Sequence, residues 1–549
     1  MKRFFVIIAL LASLVPVAFT IYYVGGWDNF HGIPPKGATD SLYYYARIHE
    51  VADGNPLNGN PYIYEYRKAF APAFFLPDII SALPLLIGFP LSLAIIINIF
   101  IWSFVFLMLT FTFLKLISVS NKWAIFWSIF TFIISYTLIL RPTVMQIIYP
   151  LFLLFFIVLI KFLYEPYERR RIIWLSVIAA STFYAYTYLA YLVFLTLAFI
   201  FLWFLYNHRF KELRSLTTVG IYTAFLLIPF GIYTWMQMQD PYYFETLSRI
   251  GLVYTHVPAT EAFLYGRWVV VVFIILTLLW LFSKKEEDQR VEISKNTQKI
   301  FLITTGVSLL MGLFLNVFTG VELQLATHIG RFVILWMTLI LGVFLHQVYK
   351  EFSFQNLKTK KTKYIIIGIF LLLLTVGVLR NFPRSFTFFK FNDRWGKTVA
   401  TQSYGIPLKW LEDNISEQSV IWSNESIAEY ISVITKHYPL FFSGAVLHTA
   451  SAQELEDRYL LSRGLNSLTI EDLKLDYGLY AGAKPLKEEE YFNELFKRYE
   501  TIKKNPASYL EQFNVKYLII DRDRDNLEGV SIDKAVYDDG RFVVLPTPL

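Results

Sequence analysis

Long apolar runs alternate with short polar segments over the first two thirds of the chain. A helix needs about 20 apolar residues to cross a bilayer. Runs of that order lie at 4–24, 91–117, 123–140, 144–160, 172–188, 190–206, 216–236, 268–282, 300–318, 332–348 and 364–380. The stretch 172–206 carries no charge. At about 1.5 Å per residue it covers roughly 50 Å, so it is expected to break into two helices near Tyr188. No small-residue cleavage site closes the run from Phe4 to Val24, so it is expected as an uncleaved first helix. Residues 70–90, "FAPAFFLPDIISALPLLIGFP", are long enough for a twelfth span, but internal prolines and Asp78 favour an interfacial or re-entrant segment.

The basic loops "KFLYEPYERRR", "NHRFKELRS", "SKKEEDQRVEISKNTQK" and "KEFSFQNLKTKKTK" fall on one side of an eleven-span arrangement, together with Lys2 and Arg3. By the positive-inside rule that side is cytoplasmic. The other side then receives residues 25–90, the turn 141–143, residues 237–267 and 319–331, and everything after the last span. The expected fold class is a polytopic α-helical membrane protein of about 11 transmembrane helices. It divides into a membrane domain, 1–380, with a large first outside loop, 25–90, and a C-terminal extracytoplasmic α/β domain, 381–549.

In that last region the pattern changes from continuous apolar runs to alternating helix and strand signals. "IPLKWLEDNI", "NESIAEYISVITKH" behind an Asn424 cap, "SAQELEDRYLLSRG" behind a Ser451–Glu454 capping box, and "KEEEYFNELFKRYETIKK" read as helices. "SVIWS", "VKYLIID" and "RFVVL" read as strands. "DRDRDN" (521–526) has the alternating acids of a calcium loop. Asn526 stands where its glycine belongs, however, and Ile532 where its bidentate acid belongs, which favours a solvated turn.

Composition agrees with the pattern: 55% of the 549 residues are hydrophobic, 18% aromatic and only 17% charged. The absence of cysteine excludes disulfides, thiolate metal sites and cysteine nucleophiles. A net charge of +7 calls for no nucleic-acid partner, since the cytoplasmic loops carry it. No Gly-rich phosphate loop and no HExxH motif occur.

Candidate chemistry concentrates in the outside loops. The first holds Asp28, His31, Asp40, Arg47 and His49 beside the membrane. A helix starting at Ser41 would place Leu42, Tyr45, Ile48 and Ala52 on one face as an interfacial amphipathic helix, with Asp40 at its N-cap. Capping accounts for Asp40 but leaves the clustering of these groups against the membrane unexplained. "GVELQLATHIGR" brings Glu322, His328 and Arg331 to the start of a span. An arginine there either snorkels as a helix anchor or holds a phosphate in its planar fork. The 237–267 loop adds Arg249, spaced i, i+4 from Glu245, which suits an ion pair as well as a second phosphate contact. Arg141 reads as an end anchor, and Tyr184, Tyr186, Tyr188 and Tyr191 as an interfacial belt.

The layout of one long first helix, an acidic residue in a large first outside loop, many further spans and an outside C-terminal domain resembles the GT-C superfamily of membrane glycosyltransferases. The segments "DSLYYYARIHEVADGNPLNGNPYIYE" and "TGVELQLATHIGRF" are similar to outside loops of prokaryotic members. The tandem acidic pair of the family's first loop is absent, since Ser41 follows Asp40, which leaves metal dependence open. The resemblance implies a polyprenyl-phosphate-linked sugar as donor, a glycan, lipid or protein as acceptor, and the lipid bilayer as setting. It implies Asp40, or failing it Asp28, as catalytic base, and Arg331, Arg249 and His328 as contacts to the donor phosphate. It implies no certain cofactor, with a divalent metal left open. The rivals are a transporter or flippase of lipid-linked sugars, and a non-catalytic membrane assembly protein.

Overall fold

The computed structural model describes residues 2–547 apart from 35–39, 58, 71–73, 283–288, 465–467, 526–530 and 353–398, where four helical positions between 368 and 376 are retained. It divides into two compact units. One comprises Met1–Ala18, Asn98–Ile232 and Tyr254–Phe391, and the other Phe19–Ile97, Tyr233–Val253 and Asn392–Leu549.

Among the described residues six helices are long and apolar enough to cross a bilayer: Arg3–Tyr23, Leu91–Leu116, Asn121–Ile139, Val144–Tyr164, Thr187–Tyr206 and Leu325–Gln347. A seventh arises if Phe210–Leu226 and Ile228–Met238, bent by 45°, cross as one. The protein is therefore a polytopic, multi-pass membrane protein. Other expected spans coincide with helices at Arg169–Ala185, Thr260–Phe282 and Gln289–Leu313, while 364–380 lies outside the described residues but for those four positions.

The uncharged stretch breaks at Tyr186, whose extended backbone (φ −169°, ψ 110°) ends one helix and precedes Thr187, the first residue of the next. Among the described residues of the 70–90 segment only Leu76–Leu86 is helical. Eleven residues cover about 16 Å, too little for a hydrocarbon core of about 30 Å.

The second unit gathers three stretches remote in sequence. Its five-stranded mixed sheet runs in the order Tyr438–Pro439, Val420–Ser423, Val515–Asp521, Phe542–Pro546, Tyr537–Asp538. The first three strands are parallel and the last two antiparallel to their neighbours. Val420, Ile421 and Trp422 are all buried, the continuous apolar pattern of a strand covered on both faces. Helix Glu489–Lys504 turns Phe492, Leu495, Tyr499 and Ile502 inward, at spacings of three and four. Glu489 and Glu490 lie in its first turn and Lys503 and Lys504 in its last, complementing its dipole. Asn424 caps as expected, accepting from Ile427 N–H at 3.3 Å; of the expected box, Ser451 accepts from Glu454 N–H at 3.1 Å while the Glu454 carboxylate takes Arg458 at 3.0 Å. Asp521 and Asp523 of "DRDRDN" pair with Arg541, Asp521 taking a two-pronged contact at 3.0 and 2.9 Å, while Asp525 accepts from Asn424 at 3.0 Å.

The expected interfacial helix is a different object. Helix Ser41–Ala52 begins where the pattern placed it, but Tyr44, Arg47 and Glu50 are buried along with Leu42, Tyr45 and Ile48. It packs against Leu76–Leu86 and against Glu425–Ile434, so its polar side enters the unit too. Its charged residues have partners inside, which a one-sided amphipathic pattern does not foresee. The loop before it is held by Gln402, which accepts from His31 N–H at 3.1 Å and donates to Ile33 O at 2.9 Å.

Candidate functional site

In the first unit the start of helix Leu325–Phe352 is held from several directions. Glu322 Oε1 accepts from Leu325 N–H at 2.7 Å, satisfying one of the free donors of the first turn. Burial raises the Glu322 pKa. Tyr188 Oη donates to Leu323 O at 2.6 Å and Tyr149 Oη to Arg331 O at 2.9 Å. Tyr186 Oη bonds His328 Nδ1, while His328 Nε2 faces Gln324 Oε1 at 3.3 Å. The Tyr188 ring lies flat on the His328 ring, 4.1 Å between centroids and 2° between planes. Tyr149, Tyr186 and Tyr188 are buried and form a clamp, so Tyr186 and Tyr188 leave the belt expected of them.

His328 and Arg331 stand three positions apart on that helix and therefore share a face. Arg331 Nη1 is buried and makes no hydrogen bond among the described residues. Arg141, nine-tenths buried after helix Asn121–Ile139, acts electrostatically on both His328 and Tyr149, as Arg331 does. Two guanidiniums, one with an unanswered N–H, make a basic site beside an imidazole. A guanidinium N–H buried without an acceptor is destabilising, and a carboxylate or phosphate oxygen is its strongest partner.

Asp28, Asp40 and Arg249 belong to the second unit. Asp28 is exposed in the turn after the first helix. Asp40 occupies the cap position at φ −104°, ψ 15°, outside the usual extended cap geometry, and its side chain makes no capping bond. Its carbonyl accepts from Tyr44 N–H at 3.4 Å. Capping therefore does not account for the carboxylate.

Arg249, expected as a phosphate contact, is held by backbone carbonyls, with Nη1 making no hydrogen bond among the described residues. It is 1% exposed and donates to the carbonyls of Val446 at 3.2 Å, His448 at 3.1 Å and Ala450 at 2.8 Å. Burial pulls its pKa down, while Glu245, 3.7 Å away, opposes that fall. Its own carbonyl accepts from Ala483 N–H at 2.8 Å. The approach depends on Gly482 (φ +68°), where a Cβ would lie 2.5 Å from that carbonyl oxygen.

Three buried groups in this unit were given no role by the sequence. Arg47 pairs with Asp78 at 2.5 Å, donates from Nη1 to Tyr43 Oη at 3.1 Å, and donates to the Phe74 carbonyl. His448, 1% exposed, lies beside Tyr43 and Tyr62 with neither ring nitrogen hydrogen-bonded among the described residues; burial and then Arg47 push its pKa well down. Glu50 accepts from Asn55 at 2.7 Å and Tyr438 at 3.1 Å, and burial pushes its pKa up to about 7. The opening cluster had drawn attention to Arg47. Nothing in the spacing announced Asp78, 31 positions on, or His448. Among the described residues no three His, Asp or Glu side chains gather to hold a metal ion.

No family model matches the chain, and no curated protein does. Among solved structures it is similar to an Archaeoglobus fulgidus oligosaccharyltransferase, crystallised with zinc and sulfate. The identity is 11%, the TM-score 0.43, and the match covers 94% of this chain and 68% of that one.

Proposed function

We propose that the protein is an integral membrane glycosyltransferase that moves a sugar from a polyprenyl-phosphate donor to a glycan, lipid or protein acceptor at the extracytoplasmic face. The loop charges support a cytoplasmic N-terminus and an outside location for the region after 380. The observation that carries this reading is Arg331, whose buried Nη1 lacks an acceptor among the described residues at the head of a membrane helix, beside His328.

In the proposed reaction Asp40, or failing it Asp28, accepts the proton of the acceptor hydroxyl. The acceptor oxygen bonds to the anomeric carbon as the bond from that carbon to the phosphate oxygen breaks. The electron pair of the breaking bond leaves on the lipid phosphate. Arg331 and His328 stabilise the charge that develops there. The Asp40 role is supported by a carboxylate that takes no part in capping.

The test is full-length protein in liposomes supplied with a radiolabelled polyprenyl-phosphate hexose and a lipid-soluble sugar acceptor. Product with the native chain and none with Asp40→Asn, at equal levels of folded protein, supports the reading. Full turnover in Asp40→Asn removes Asp40 as base. A flippase reading shares the anion site, and the 45° break between Phe210–Leu226 and Ile228–Met238 is a feature that transporters use. It predicts movement of the lipid-linked sugar across the bilayer without product.

A further inference from the structure

Helix Leu325–Phe352 presents His328 to two partners of opposite demand. Gln324 Oε1 can only accept, so the Nε2 it faces carries the proton. A neutral imidazole has one N–H and one lone pair, so Nδ1 is the acceptor and Tyr186 Oη donates to it. Tyr186 is fitted to this task by the chain break it occupies. Its extended backbone separates two helices, and the side chain is 1% exposed against the helix that carries His328. Tyr188, two residues on, adds the parallel ring contact but directs its hydroxyl to Leu323 O. The two tyrosines divide the work: one sets the imidazole's proton, the other its plane.

We propose that Tyr186 is a positioning residue that holds His328 in the tautomer with its proton on Nε2, ready to be donated to an anionic oxygen bound at Arg331. This rests on the reading of that site as a phosphate site. The contact between Nε2 and Gln324 is long, 3.3 Å, so an incoming phosphate oxygen displaces a weak acceptor. The two donors facing that oxygen, a guanidinium N–H and an imidazole N–H, then come from positions three apart on one helix.

The experiment is nitrogen NMR of the full-length protein in lipid nanodiscs, with histidine imidazole labelling and His328→Gln to identify the His328 signals. The native protein should give a protonated Nε2 and an unprotonated Nδ1. Tyr186→Phe should lose that fixed pattern, giving mixed tautomers, whereas Tyr188→Phe should retain it. A proton on Nδ1 in the native protein overturns the proposal, as does an unchanged pattern in folded Tyr186→Phe. Should Tyr186→Phe not fold, the native tautomer together with the Tyr188→Phe result decides.

A second arm adds a soluble polyprenyl-phosphate analogue. A shift of the His328 Nε2 signal that disappears in Arg331→Ala supports phosphate binding at this site. The expected tautomer with no shift on adding the analogue leaves Tyr186's role standing and sinks the phosphate reading.

Discussion

Arg47 and Asp78 form an ion pair of 2.5 Å in which the side chains are 1% and 0% exposed. The pair joins helix Ser41–Ala52 to helix Leu76–Leu86, both from the first loop. Removing one partner leaves the other charge buried and uncompensated, at a cost of about 3–5 kcal/mol. Asp78→Ala and Arg47→Ala should each lower thermal stability strongly in detergent. Arg47→Met combined with Asp78→Leu should recover most of the loss. Equal instability in the single and double variants would show that the pair itself is not what holds the two helices.

Glu50 gives the folded protein a pH dependence of defined sign. Burial pushes its carboxyl from 4.5 up to about 7; Asp53 adds to the rise, and Asn55, Tyr438 and Arg67 oppose it. The folded state therefore binds more protons than the unfolded one between those values, and stability falls as pH rises through that window. The contribution is complete below about pH 4.5 and gone above about 7. Glu50→Gln should flatten that part of the stability–pH curve. The check is thermal unfolding of both proteins from pH 4 to 8, and parallel curves would contradict the assignment.

Arg249 should behave as a structural clamp. Lysine keeps the charge but loses the fork that reaches three carbonyls at once. Arg249→Lys and Gly482→Ala should destabilise the same region, the glycine variant because an L side chain is strained at φ +68° and meets the Arg249 carbonyl. Hydrogen exchange should rise together over residues 243–250 and 443–450 in both. A pure loss of donor affinity in Arg249→Lys, with unchanged exchange, would restore the phosphate role.

The long helices were legible because a bilayer demands length, and length is visible in one dimension. The break at Tyr186 fell within two residues of its expected place for the same reason. The Asn424 and Ser451 caps were legible because a cap and its donor are three residues apart. The burial of helix Ser41–Ala52 was not, because Arg47 and Glu50 are matched by Asp78 and Tyr438 from remote segments. The tyrosines at 186 and 188 looked like a belt for a related reason: their acceptors, His328 and Leu323, lie some 140 positions away.

Arg331 offers the most direct test of the central claim, through the rate at which reconstituted protein consumes a radiolabelled polyprenyl-phosphate hexose at saturating acceptor. Loss of a donor aimed at developing phosphate charge should lower turnover by about a hundredfold or more in Arg331→Ala. The amount of folded protein should be unchanged, because Tyr149 holds the Arg331 backbone carbonyl rather than its side chain. Native-like turnover in folded Arg331→Ala would contradict the account.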